Sequence, residues 1–269
     1  ASGLPLGHYI NSNLHTELPN KWWLRLGATY NGVGGPTYND RVARGGPAVR
    51  RSPTFSPWGG IEGDSRRTVA PSLNFNYTNV PESGSRYLNV SPSVTLRMAS
   101  QWSTSARLSI VRNRDDWQWY GNFTDARGTT HYTFAHLWQR TVSLQLRVDY
   151  TASPTLTLQA YAEPFVTRGT YSNIRELSAN PRAVEYANRF RPYGDTAVAN
   201  HPGGFNFKQF RSNVVMRWEY APGSTVYLVW TQGRQDSGPD SSSAAFGSDL
   251  RDLFRTRPDN TFLVKVTHW

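Results

Sequence analysis

The stretch Asn206-Phe207-Lys208-Gln209-Phe210-Arg211-Ser212-Asn213-Val214-Val215-Met216-Arg217-Trp218-Glu219-Tyr220 decides how the whole chain is read. Its even positions, from Asn206 and Lys208 through Phe210, Ser212, Val214, Met216, Trp218 and Tyr220, turn apolar at Phe210. Its odd positions, Phe207, Gln209, Arg211, Asn213, Val215, Arg217 and Glu219, stay mostly polar and charged. Successive side chains of a strand point to opposite faces, so this segment is a strand with one apolar and one polar face. Ala221-Pro222-Gly223-Ser224 follows with the chemistry of a tight turn. Then Val226, Leu228 and Trp230 alternate with Thr225, Tyr227, Val229 and Thr231.

The same design spreads outward in both directions. Val142, Leu144, Leu146, Val148 and Tyr150 oppose Thr141, Ser143, Gln145, Arg147 and Asp149. Leu88, Val90, Val94, Leu96 and Met98 oppose Asn89, Ser91, Ser93, Thr95 and Arg97, and Trp22, Leu24, Leu26, Ala28 and Tyr30 oppose Trp23, Arg25, Gly27 and Thr29. The pattern predicts an all-β chain of about eleven strands: 8–17, 21–31, 51–62, 67–79, 87–99, 103–115, 129–150, 155–168, 205–220, 224–234 and 260–269. Most reach the roughly 9–11 residues that cross a bilayer at a tilt, whereas ordinary strands run about 5–6.

Short connections near Leu18-Pro19-Asn20, Asp64-Ser65-Arg66, Ser100-Gln101, Ala152-Ser153-Pro154 and Pro222-Gly223 alternate with long ones at 32–50, 80–86, 116–128, 169–204 and 235–259. That alternation is the pattern of outer-membrane barrels, with short periplasmic turns and long extracellular loops. The reading is therefore an antiparallel transmembrane β-barrel spanning 1–269, with eleven to twelve strands visible. An odd count leaves the first and last strands running the same way, so closure calls for a further N-terminal strand or a partner subunit. Within the last long connection, 248–254 has the signals of a short capped helix.

Composition agrees. Hydrophobic residues are 38% and the mean hydropathy is −0.59, so no helix of about 20 apolar residues is available to span a membrane. A barrel escapes this test because only alternate residues face lipid. Trp (10) and Tyr (14) are abundant, and both favour membrane–water interfaces. Cys is absent, and barrel closure substitutes for disulfides. Ala1-Ser2-Gly3 shows no basic and apolar leader regions, which is expected if a secretory signal has been removed or the chain continues a longer one. The net charge of +10 raises nucleic acid as a partner, but the arginines scatter along alternating strands and form no run, so nucleic acid is not expected.

Several segments carry a family resemblance: Arg44-Gly45-Gly46-Pro47-Ala48-Val49-Arg50-Arg51, Val90-Ser91-Pro92-Ser93-Val94-Thr95-Leu96, Arg112-Asn113-Arg114-Asp115-Asp116, Phe210 through Ser224, and Asn260-Thr261-Phe262-Leu263-Val264-Lys265-Val266. Together they resemble the C-terminal barrel region of a bacterial outer-membrane family of unknown function. Its longer members carry an N-terminal family-9-type carbohydrate-binding domain and are often labelled hydrolases. The match spans roughly 40–269 and implies localisation in the outer membrane. No carbohydrate-binding domain is present here, so the hydrolase label attaches to no residue of this chain. The family's closing strand tends to run a little past Trp269.

Catalytic signals are weak. There is no Gly-x-Ser-x-Gly elbow. Glu163 and Glu219 share the polar face, where pairing with arginine is the plainer role than acid–base work. His131 and His136 are five apart and fall on opposite strand faces. Asp236, Asp240, Asp249 and Asp252 lack the spacing of a calcium loop. No enzyme activity, metal or cofactor is expected. More telling are the charges on the polar face: Arg25, Arg97, Arg107, Arg147, Asp149, Glu163, Arg211, Arg217, Glu219 and Lys265. They read as lumen-facing, either as a salt-bridge network or as an anion-favouring lining. Trp22, Trp102, Tyr150 and Tyr220 beside short turns, and Tyr30, Tyr77, Trp117, Trp119, Tyr132, Phe134 and Trp230 toward long loops, read as interfacial girdles. The long segment 169–204, with Glu176, Glu185 and Asp195, is expected to cover the barrel mouth near Arg211. The partners expected are membrane lipid and a further strand-bearing segment or subunit. The rival reading is a soluble, Trp-rich β-sandwich that binds or hydrolyses carbohydrate.

Overall fold

The computed structural model describes residues 3–199, 202–238 and 246–269. The strands are β1 (Tyr9–Glu17), β2 (Trp23–Asn31), β3 (Tyr38–Asn39), β4 (Val49–Arg50), β5 (Thr54–Glu62), β6 (Val69–Val80), β7 (Ser85–Ala99), β8 (Trp102–Thr124), β9 (Thr130–Ser153), β10 (Leu156–Leu177), β11 (Phe190–Pro192), β12 (Gly204–Ala221), β13 (Ser224–Gly238) and β14 (Asp259–Thr267). A four-residue helix, α1 (Thr196–Ala199), and a longer one, α2 (Phe246–Arg255), complete the set.

One antiparallel meander carries almost everything, in the order β1-β2-β5-β6-β7-β8-β9-β10-β12-β13-β14, with β11 paired to β10. β3 and β4 form a separate two-stranded ribbon. Hairpin chemistry sets the registers. Pro222 presets one turn position and Gly223 takes φ +77° at the next, which closes β12 onto β13 with Ala221 opposite Ser224. At the β8–β9 tip, the Asp125 carboxylate accepts the amides of Arg127 (2.9 Å) and Thr129 (2.8 Å).

The chain is all-β, as expected, but its sheet is not closed into a barrel. β1 and β14 are the two ends of the path. Because every neighbouring pair is antiparallel and eleven strands lie on the path, these two ends run in the same direction. Nearly all residues of β1 and all of β14 are exposed. The strands of the meander meet the neighbours to which they are hydrogen-bonded, and among the described residues the other sheet is the small β3–β4 ribbon, whose Val49 packs on Phe134 of β9. A sandwich would have buried the apolar face. Instead Leu146, Leu158 and Leu228 remain 38–41% exposed.

Three expected long connections are shorter than the alternation implied. β6 and β7 are joined by a tight turn, β8 runs on to Thr124, and β10 runs on to Leu177. The pairing continues through register shifts at Asp115/Gln118, Trp119/Gly121 and Ser172/Arg175. Each bulge inserts residues that break the period-2 pattern while keeping the ladder intact, so the strand outlasts its own signal. α2 appears where a short helix was expected.

Candidate functional site: an apolar band between two rims

The registers place the expected polar-face residues together. Arg107, Gln145, Glu163 and Arg211 stand in one cross-strand row, since Arg107 pairs with Gln145 and Glu163 with Arg211. Asp149 lies opposite Ser103, and Lys265 opposite Tyr227, which lies opposite Arg217. Ion pairs join Arg25 to Glu62, Arg147 to Asp149 at 3.1 Å, and Arg217 to Glu219 at 2.9 Å. Glu163 accepts hydrogen bonds from Gln145 (3.1 Å) and Tyr161 (2.5 Å). Among the described residues, Arg107, Arg211 and Lys265 make no ion pair. The same row continues through Ser93, opposite Arg107, which bonds to Ser72 (2.6 Å), and higher on this face Thr141 bonds with Thr167 (2.8 Å) and Ser109 with Asn89 (3.1 Å). Ser91, Ser143 and Thr167 are buried there.

The other face is apolar and bounded. Toward the short turns it ends in aromatic rings. Trp102 faces Tyr150 with centroids 5.2 Å apart, and Trp218 packs on Tyr220, which stacks on His268. Trp22 sits half-buried in the first short turn. Toward the long hairpins it ends in cations. Arg112 pairs with Arg140, which pairs with Arg168. Ten residues separate Arg112 from Trp102, Arg140 from Tyr150, and Lys208 from Trp218. At about 3.3 Å per residue this is about 33 Å along the strand. Sequence reading missed this upper rim, although its signal was present: the even-numbered series that supplies the apolar residues simply changes to arginine.

The upper rim is also staggered. On β8 to β10 it lies at the row of Arg112, Arg140 and Arg168. On β12 and β13 it has moved toward the short turns, to Lys208, which lies opposite Val166, and to Arg234. α2 covers this corner. Its Asp249, 2% exposed, accepts from Asn206 (3.0 Å) and pairs with Arg168, while Lys208 reaches Asp236 at 2.9 Å. Arg234 donates to the carbonyls of Phe254 (2.7 Å) and Thr256 (2.8 Å). Tyr30 (42% exposed) lies near the upper end of β2, whereas Trp230 lies within the band, opposite Val214 and stacked on Phe262.

Beyond the bulges the hairpin tips carry the one large buried cluster among the described residues. Phe134, Phe190, Leu177, Val49 and Ala43 form it, with Trp117, Trp119, Tyr132 and Tyr186 packed around them. Trp117, Trp119, Tyr132 and Phe134 are thus packing residues above the rim and not girdle anchors. The reason is tertiary: residues 42–49 and 186–190 fold onto them. Arg44 lies over the Trp119 ring at 3.6 Å, and Asn122 donates to the carbonyls of Ala43 and Arg44. Arg189, 1% exposed, ties three connections together through the carbonyls of Ala183, Val184 and Arg50, the Ser52 hydroxyl, and Glu82 at 3.0 Å. Two of the acidic residues expected to approach Arg211 are engaged elsewhere. Glu176 pairs with His131 and Arg191, and Glu185 accepts from Asn188.

Two His–carboxylate pairs sit at these tips. Glu176 holds His131 above its ordinary value, helped by Asp125. Burial pushes His136 down despite Asp116, which also pairs with Arg175 at 3.3 Å. The bulges explain why these histidines, five apart, each find a carboxylate. No group of three or more metal-binding side chains occurs among the described residues. Asp240, considered above for a cation, lies outside them.

The model of the family described as Domain of unknown function (DUF5916) matches residues 5–269, so the chain belongs to that family. No curated protein matches it. Among the described residues no helix is long and apolar enough to cross a membrane, which leaves crossing by strands open.

Proposed function

We propose that this chain is the membrane-embedded wall of a bacterial outer-membrane β-barrel, acting as an anchor or scaffold for an assembly or as a solute passage, and that it is not an enzyme. One observation carries this reading: an apolar band held at a constant ten-residue height between aromatic and cationic rims on neighbouring strands. At the roughly 40° strand tilt of such barrels the band would be about 25 Å tall, which matches their lipid-facing band, and girdles at both edges are their mark. The stagger of the upper rim is what tilted strands require, because closing a barrel shears the register. The polar face would then line the lumen, where its charges pair or stay hydrated. Closure calls for an odd number of further strands between β14 and β1, antiparallel to both, from another segment or another subunit.

The test is extraction and reconstitution. The protein should need detergent, incorporate into phosphatidylcholine vesicles, and resist washing with urea or carbonate. A monodisperse, detergent-free protein that stays out of vesicles would overturn the proposal.

A further inference from the structure

We infer that the cationic rim is a binding site for the phosphate groups of anionic lipid headgroups at the long-hairpin edge of the band. This rests on the membrane reading above and names the ligand of that edge.

Arg86 lies opposite Arg114, and Arg112 opposite Arg140, so like charges face each other directly on one side of the sheet. Such pairs are destabilising unless something of opposite sign lies between them. Arg86, Arg112, Arg114 and Arg140 are exposed. Nearby carboxylates are committed elsewhere: Asp116 to His136 and Arg175, and Asp249 to Arg168. Among the described residues no ion pair reaches these four arginines. They line a groove of about 770 Å³ together with Tyr77 and Trp138. Trp138 is 58% exposed, with Arg114 held over its ring at 5.3 Å.

Position selects the ligand. Directly below lie Leu88, Ile110 and Val142 of the apolar band. A soluble anion would gain nothing from that neighbour, whereas a lipid places its chains on the band and its phosphates at the arginines. Arginine stems cover apolar surface while the guanidinium reaches the interface. The planar fork suits phosphate oxygens better than an ammonium does. Trp138 supplies the amphipathic ring favoured at that depth.

The experiment uses the full-length protein reconstituted in phosphatidylcholine nanodiscs and titrated with phosphatidic acid, with retained lipid counted by native mass spectrometry. Wild type should retain phosphatidic acid in preference to phosphatidylcholine. The R112Q/R140Q double variant should bind it roughly 25-fold more weakly, about five-fold per arginine. R112K/R140K should keep part of the affinity, and Arg67→Gln at the opposite, short-turn end should behave as wild type. Incorporation into neutral nanodiscs with no preference for phosphatidic acid, or with equal retention by R112Q/R140Q, would overturn the headgroup site while leaving the membrane reading standing. Failure to incorporate at all would overturn both. Displacement of the lipid by equimolar inorganic phosphate would show a free-phosphate site and overturn the lipid assignment.

Discussion

Leu146→Arg separates a lipid-facing band from an ordinary exposed sheet. Leu146 lies near the middle of the band, about 20 Å along β9 from Arg140 and about 13 Å from Tyr150 at ~3.3 Å per residue. Ala106 and Ala162 flank it across the ladder, so an arginine there has room and no carboxylate partner. In a bilayer the guanidinium must leave water near the midplane, which costs about 2–4 kcal/mol. That is a loss of roughly 30- to 700-fold in the folding equilibrium. In water the same change at a 38%-exposed position costs less than about 1 kcal/mol. Two controls frame it. Gln145→Arg points to the polar face beside Glu163 and should stay within about 0.5 kcal/mol of wild type. Leu158→Arg, in the row of Tyr150 at the aromatic rim, should cost about 0–1 kcal/mol. The assay is reversible urea unfolding in phosphatidylcholine vesicles, followed by tryptophan fluorescence. Equal stability of Leu146→Arg and Gln145→Arg would refute the assignment of faces.

Other outcomes test the tips and the corner. Asp249→Asn replaces the buried carboxylate that pairs with Arg168 and accepts from Asn206 by a neutral amide and should cost about 1–3 kcal/mol locally; hydrogen exchange should then show α2 less well docked with β8 and β9 still protected. Phe134→Ala opens a cavity in the tip cluster worth about 3–5 kcal/mol. Limited proteolysis should cut 32–50 or 178–193 sooner, and vesicle incorporation should be unchanged. Because Glu176 raises His131 above 6.5, the pair's contribution is complete below that pH and is lost as pH rises through the higher folded value. Protection at the β8–β9 tip, taken relative to intrinsic exchange rates, should therefore fall as pH rises through that value, and His131→Ala should remove that pH dependence.

The strand content, the two faces and most turns were legible in the chain itself, because a strand's period is two and its burial is one-sided. Segments such as 206–220 and 140–150 therefore announce both the element and its orientation, and Pro222-Gly223 announces the register that follows. The polar-face residues from Arg25 to Lys265 share a face for the same local reason. What only the tertiary structure decided are matters of register and of contacts distant in sequence. Bulges at 115–121 and 172–175 carry β8 and β10 beyond the point where alternation fails. The aromatic run from Trp117 to Phe134 packs under residues 42–49 and 186–190, segments whose approach no local pattern encodes. Arg189 looks like any loop arginine until five acceptors from three connections surround it. The facing of Arg112 with Arg140 depends on how two strands are aligned, and alignment is a property of the pair, which neither strand's sequence carries alone.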